Sequence, residues 1–397
     1  MSSDLPPEAD ELKEELFGDA DYRSAFGEDL ASTLDLDRWS TGLDLDKIME
    51  RFRREIASAV HKEGELRAIV RSEVFPRLAS RGDAFPDAGV YKVTPEDLSL
   101  IHERLLFRSK VDAVTGTHVS HDSLPIGISQ IGVGIVSYQG TSGAFTKRLF
   151  RKEMASQNTG NPLQEAMDFI DMRQNRYQGK QDTLSRMARR GIQAYAERAA
   201  LVEKATAEWR MGSGNPCAHE LLSGSGYMTL LDRSLTVLER LIHEHKKFVY
   251  VSDSLTDRGF LTMGLALDAG EYALLETLQR EGKQIVRNWE YGGRSKHRAW
   301  KFVRESSPCV VKGIFRVSDT SAPRLFYAHK DHAHEAAWVA MADSILRPER
   351  GFPMLLDVAA VTCRGVFGVD GFLGLVEDAY SQAGANLQFM TERGMRR

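Results

Sequence analysis

Lys110-Val-Asp-Ala-Val-Thr-Gly-Thr117 runs on through Pro125-Ile-Gly-Ile-Ser-Gln-Ile-Gly-Val-Gly-Ile-Val-Ser-Tyr138, and this stretch decides how the chain folds. β-Branched residues recur with small ones between them, which suits a pleated, half-buried strand better than a helix. The first run ends in a small polar turn, Ala113-Val114-Thr115-Gly116-Thr117; the second is longer and more continuous. Two successive strands with a polar turn between them place the start of a sheet here.

With 397 residues, 42% of them hydrophobic, the chain can bury a full core in one large or two modest domains. A net charge of −4 and a pI near 6.3 exclude a protein that coats DNA by overall basicity, although a local basic groove stays open. Cys217, Cys309 and Cys363 are far apart and form no metal-binding spacing, so they read as buried, inert thiols of a reducing cytoplasm. No apolar run approaches the roughly 18–20 residues of a membrane span, and the acidic start with Pro6-Pro7 is no secretory signal. The expectation is a cytoplasmic protein with no membrane partner.

Residues 1–44 form an acidic leader expected to be loosely ordered, in which Leu12, Leu16 and Phe17 could make a short docking stripe. Residues 45–100 read as an N-terminal helical region, where Ile48, Phe52, Ile56 and Val60 at helical spacing predict a helix facing the core. Residues 101–385 read as the main domain, with a helical insertion over about 162–210, and 386–397 as a tail. Arg173, Arg176, Lys180, Arg186, Arg189 and Arg190 make the insertion basic, either a solvated helix face or a DNA-facing one. Farther on, a helix over 229–243, a buried strand over 247–251, a helix over 272–282, strands over 310–317 and 324–329, and helices over 334–346, 352–364 and 369–383 alternate. The pattern predicts an α/β architecture with a mixed sheet flanked by helices.

Metal-dependent phosphodiester hydrolysis needs carboxylates converging on one or two hard divalent ions, commonly from strand ends and one late helix. Asp112 and Asp122 near the first strand, Glu220, Asp253 and Asp257 after the central strand, and Asp357 on a late helix offer such a set. Each acid alone is an ordinary cap or surface group; only their joint placement points to a site.

Over residues 100–385 the chain resembles the NurA-type nucleases in the order of its segments. Ala113-Val-Thr-Gly-Thr117 with Pro125 and Gln130 looks like that family's opening motif. Glu220-Leu-Leu-Ser-Gly-Ser-Gly226 leading to Phe248-Val-Tyr-Val-Ser-Asp-Ser-Leu255 is similar to its glutamate-bearing segment and following strand. Arg350-Gly-Phe-Pro-Met-Leu-Leu-Asp-Val-Ala359, with Tyr327 ahead of it, looks like its C-terminal helix. The resemblance implies a ribonuclease H-like fold and a homodimeric, Mn²⁺- or Mg²⁺-dependent DNA nuclease that works with a HerA-type hexameric ATPase in DNA repair or phage defence. On that reading Glu220, Asp253 and Asp357 are catalytic, and Glu220, Asp357 and Asp122 hold the metal. Thr115, Gly116 and Thr117 occupy the first motif.

Two departures stand out. The first-motif Asp is Thr115, and the late His position is Ala360. Asp357 shares a helix face with Ala360 and could supply the missing ligand. Asp112 could not replace Thr115, because alternation along a strand points the two to opposite faces. Asp122 could reach the site if the intervening loop folds back. A catalytically degenerate subunit that binds DNA or caps the ATPase ring is the alternative.

Three other clusters carry readings. Arg287-Asn-Trp-Glu-Tyr-Gly-Gly-Arg-Ser-Lys-His-Arg-Ala-Trp-Lys301 mixes cations, rings and glycines, so Arg287, Trp289, Arg294, Lys296 and Arg298 read either as a single-strand grip or as a solvated loop with its rings packed inward. His329-Lys-Asp-His-Ala-His334 could be a metal tract, but Asp331 as an N-cap is the simpler account. The glycine-rich Ser223-Gly-Ser-Gly226 lacks a P-loop lysine, so ATP-driven motion would come from a partner.

Overall fold

β-Branched and aromatic runs between helical segments build one sheet, described by a computed structural model over residues 18–39, 45–80, 85–122, 126–151, 163, 167, 186–255, 257–289 and 292–386. The chain forms α1 (Asp19–Phe26), α2 (Leu30–Leu34), α3 (Leu45–Ile69), β1 (Gly89–Lys92) and α4 (Pro95–Ile101). β2 (Val111–Asp122), β3 (Gly127–Ser137) and β4 (Gly140–Arg151) then make an antiparallel meander. α5 (Arg186–Glu203), β5 (Trp209–Ser213), α6 (His219–Leu222), α7 (Met228–Glu239) and β6 (Phe248–Val251) follow. α8 (Arg258–Leu265), β7 (Glu271–Thr277), α9 (Gln279–Asn288), α10 (Gly293–Glu305), β8 (Val310–Arg316) and β9 (Arg324–His329) come next. α11 (Ala333–Ser344), α12 (Met354–Phe367) and α13 (Val369–Gln382) complete it.

Among the described residues, nine strands lie in the order β1-β7-β8-β9-β6-β5-β2-β3-β4. The central pairs β6–β5 and β5–β2 are parallel and the others antiparallel, the expected mixed sheet. Helices cover both faces. Leu201, Leu231, Leu235, Leu238 and Phe302, from α5, α7 and α10, bury one face with Tyr250 and Val114. Ala336, Val339, Ala340, Leu355 and Ala359, from α11 and α12, bury the other with Ala113, Val249 and Phe326. Each fully buried large side chain stabilises the fold by about 1.5–3 kcal/mol.

α12 is pinned at both ends. Asp343 Oδ2 accepts from Leu355 N at 2.8 Å in its first turn, and Gln130 Nε2 donates to Phe367 O at 3.0 Å in its last. Its close approach to β3 needs glycine, because a Cβ on Gly132 would lie 2.3 Å from the Phe367 ring.

Several expectations change. The contacts divide the chain into units 1–65 and 66–397. In the first unit, α3 forms as predicted, but Phe52, Ile56 and Val60 are exposed rather than facing a core. Periodicity marks a stripe without saying what covers it. Part of the leader is ordered into α1 and α2, while Leu12, Leu16 and Phe17 lie outside the described residues. Arg173, Arg176 and Lys180 also lie outside them, and the rest of the expected insertion is α5, a core layer with Arg198 and Leu201 buried. The expected helix over 272–282 is β7 followed by α9. Glu271-Tyr-Ala-Leu-Leu favours helix locally, but pairing with β1 and β8 overrides that propensity. Met354–Gln382 is, against expectation, long and apolar enough by composition to cross a membrane. It is not one rod, since Gly368 is extended between α12 and α13, and Leu355, Cys363, Phe372 and Val376 pack inward.

Gly132→Ala is expected to destabilise the fold by about 1–3 kcal/mol through overpacking against Phe367. Urea denaturation at an unchanged m-value should show it; an unshifted midpoint would remove this account of the helix's seat.

Candidate functional site

A parallel strand pair ends where the shorter strand stops. β5 pairs with β2 from Val111–Trp209 to Val114–Gly212 and ends at Ser213, while β2 continues to Asp122. From Thr115 onward, among the described residues, β2 pairs only with β3, so its other edge opens into a notch between α5 and α12. The resulting cleft of about 400 Å³ is lined by Thr115, Gly116, Thr117 and Ser213 from the strands and Gln193 and Glu197 from α5. Asp253 from the loop after β6, and Arg350, Phe352, Leu356, Asp357, Ala360 and Arg364 in and before α12, complete the wall.

Alternation along β2 turns Gly116 toward α5, where a Cβ would sit 2.6 Å from Glu197 Oε1. Only glycine leaves room for that carboxylate. Gln193 Nε2 donates to Glu197 Oε1 at 3.0 Å, and Arg198 Nη1 donates to Glu197 Oε2 at 2.6 Å. Arg198 is itself buried, donates to Asn215 O at 2.6 Å and lies 5.2 Å from the centre of the Tyr250 ring.

The opposite wall is organised by arginines. Arg324 donates to Asp253 O at 2.7 Å, Arg350 O at 2.8 Å and Gly351 O at 3.3 Å, joining the loop after β6 to the approach to α12. Burial, with the nearby Arg350, lowers the Arg324 pKa. Asp357, in the first turn of α12, accepts from Arg350 at 2.7 Å and lies 3.9 Å from Arg347. Its Oδ2 is enclosed without a hydrogen-bond donor. Behind it, Asp343 accepts from the Tyr138 hydroxyl and from Leu355 N, and burial pushes its pKa up to about 6.

A hard divalent ion needs several charged oxygens converging on it. Here Thr115 and Thr117 of β2 and Ser213 at the end of β5 line the cleft, and two of the cleft's carboxylates already hold guanidiniums. Among the described residues no three His, Cys, Asp or Glu side chains come together closely enough to hold a metal. The donor set does not fit the Mn²⁺ or Mg²⁺ centre expected from the sequence.

Thr115, Gly116, Thr117, Asp253 and Asp357 do share one cleft. Glu220 does not line it: it lies on α6, where its carbonyl accepts from Ser225 Oγ at 3.1 Å. That turn is left-handed at Gly224, Ser225 and Gly226, which explains the Ser-Gly-Ser-Gly composition. Asp122 ends β2 opposite Gly127, and the strand runs straight to it. Seven residues beyond Thr115 is about 23 Å of strand, so no intervening loop brings Asp122 back to the site. Asp112 anchors the approach to β5, accepting from Thr206 N and Ala207 N at 2.9 Å each. Asp257 caps α8 by accepting from Phe260 N at 3.1 Å. Tyr327 is buried in β9 opposite Tyr250, away from the cleft.

The cationic segment is α9 and α10 rather than a loop. Arg287, Arg294 and Lys296 are exposed, but Arg298 is paired with Glu239, and Trp289 packs edge-on against His219 at 5.7 Å. The histidine tract is structural too. His329, whose pKa burial pushes down to about 4, caps the next turn by accepting from Asp331 N at 3.1 Å, taking the role expected of Asp331. Glu197, Ser213, Arg350 and Arg364 were not singled out as site residues from the sequence. Gly116 inside a strand was the available signal, since such a glycine often marks a close approach.

No family model matches the chain, and no curated protein matches it. Among solved structures it is similar to the NurA nuclease from Sulfolobus solfataricus, at 9% identity over 84% of this chain and 98% of that one, with a TM-score of 0.46. It is similar to NurA bound to dAMP and manganese, at 10% identity over 80% and 93%, TM-score 0.37. It is also similar to endonuclease V from Bacillus subtilis, at 6% identity over 68% and 88%, TM-score 0.31. No residue role is carried across from these likenesses.

Asp343 sets a pH dependence whose sign can be worked out. Its folded pKa, about 6, lies above the ordinary 3.8, so between those values the native state holds more proton than the unfolded one. Stability therefore falls as pH rises from about 4 to about 6, by roughly 2–3 kcal/mol in total. Asp343→Asn should flatten this slope in thermal melts; a parallel slope in the variant would show that another group causes it.

Proposed function

We propose that this protein is a DNA-binding subunit of the NurA type that grips a nucleic-acid backbone in the β2 cleft and works as a homodimer against a HerA-type hexameric ATPase. One observation carries the DNA reading: Arg350 and Arg364 line the cleft together with the hydroxyl-bearing Thr115, Thr117 and Ser213 along the open edge of β2. Guanidiniums and hydroxyls donate to phosphate oxygens. The ATPase and the dimer rest on the order of motifs in the sequence and on the lack of any P-loop lysine. Arg287, Arg294 and Lys296, exposed on α9 and α10, are proposed as further phosphate contacts.

A second reading, a Mn²⁺- or Mg²⁺-dependent DNA nuclease for repair or phage defence, is favoured by a different observation. Asp357 Oδ2 is enclosed without a donor, and Glu197 and Asp253 line the same cleft. Glu197 then takes the role expected of Glu220. Gln193 donates to the Glu197 carboxylate, and Gly116 leaves room for it against the strand.

Arg364→Ala is expected to weaken binding of a single-stranded oligonucleotide and to lower its salt slope by about 0.7. Anisotropy titrations across salt concentrations measure both, and unchanged curves would remove Arg364 from the interface. On the nuclease reading, Glu197→Gln and Asp357→Asn should each abolish metal-dependent degradation of labelled DNA, with and without the ATPase. Degradation persisting in both variants would exclude these carboxylates.

A further inference from the structure

We infer that the cleft is an anion site, binding the nucleic-acid backbone without a divalent metal because hydroxyls stand at Thr115 and Ser213, the two positions where charged ligands would complete a metal centre with Glu197. This rests on the backbone-binding reading and specifies its chemistry.

The geometry comes from strand register. Val114 is paired with Gly212 in the parallel β2–β5 ladder, so Thr115 and Ser213 are level, one step further on, and both line the cleft. Gly116 next to them seats Glu197 against the strand. Three elements therefore converge, but only one brings a carboxylate. That carboxylate is already answered by Arg198, which is 4% exposed and fixed by the Asn215 carbonyl and the Tyr250 ring. Arg198 cannot turn away to let a cation replace it without leaving a buried charge unpaired. Asp357 is likewise held by Arg350.

The cleft is lined by three carboxylates, Glu197, Asp253 and Asp357, and two guanidiniums, Arg350 and Arg364. With Arg198 on Glu197 and Arg350 on Asp357, two of the three carboxylates are already answered, which opposes a divalent cation, and Arg364, exposed on α12, is placed to meet a phosphate. A phosphodiester takes the place in this chemistry that a metal ion holds in a carboxylate-rich cleft.

The test uses the full chain, a fluorescent single-stranded oligonucleotide, and Mn²⁺ alone as the metal probe. Anisotropy should give the same affinity in EDTA as in Mn²⁺, and calorimetry should show no saturable Mn²⁺ binding. An affinity that rises about tenfold or more with Mn²⁺, or a saturable Mn²⁺ site, overturns the inference. Loss of binding in both buffers instead overturns the backbone reading beneath it. Thr115→Asp with Ser213→Asp is expected to create saturable Mn²⁺ binding that Glu197→Gln then removes. A double variant with native circular dichroism that binds no Mn²⁺ overturns the assignment of these two positions.

Discussion

β2 outruns β5, and most of what is distinctive here follows from that mismatch. A strand with backbone groups unpaired along one edge needs polar company or cover. The sheet supplies a partner only as far as the Val114–Gly212 pair. Beyond it, α5 and α12 stand on either side of the bare edge, and the space between them becomes the cleft. Both helices can come close because β2 and β3 carry glycine where they touch, Gly116 under Glu197 and Gly132 under Phe367. A larger residue at either place would lift a wall of the cleft.

Charge then fixes the walls. Arg324 ties three carbonyls of two separate loops, so the mouth of the cleft is held by one side chain. Arg198 does the same on the α5 side, bridging the Glu197 carboxylate and the loop after β5. Asp343, deep under the first turn of α12, is the opposite case: a carboxyl kept by two hydrogen bonds in a place too buried for comfortable ionisation. Such groups hold α12 in one position, and with it Asp357 and Arg364.

The same pairing decides what chemistry the cleft supports. Carboxylates brought near strand ends suggest metal catalysis when they stand unopposed. Here Glu197 and Asp357 are matched by guanidiniums, and the strands beside them carry the hydroxyl residues Thr115, Thr117 and Ser213. On the proposed reading the cleft holds a phosphate chain. The cationic stretch of α9 and α10 illustrates the same lesson, since Arg298 is paired with Glu239 while Arg287, Arg294 and Lys296 face solvent.

Much of the sheet was legible in the sequence because its signal is local. The β-branched Gly127–Ser137 run, the apolar Phe248–Val251 run and the late helices are written in neighbouring residues and form where expected, whereas Ala113–Thr117, read as a turn, lies inside β2 because β3 pairs with it throughout. Thr115, Gly116, Thr117, Asp253 and Asp357 were legible as members of one site, from a motif within the first long strand, a residue after the central strand and a residue on a late helix. Tertiary structure decided the rest. Glu271–Thr277 reads as helix and becomes strand because β1 and β8 offer it pairs. Glu220 was the expected glutamate and Glu197 was not singled out, because α5 packs over Gly116 and no spacing in sequence reports which helix will cover a given strand. Whether Asp357 and Glu197 stand unopposed depends on Arg350, seven residues away, and on Arg198, the next residue but useful only because its guanidinium is buried beneath the sheet's aromatic face. The sequence by itself determined which residues could carry charge into this region; packing determined which of those charges were already neutralised, because neutralisation acts across space and not along the chain.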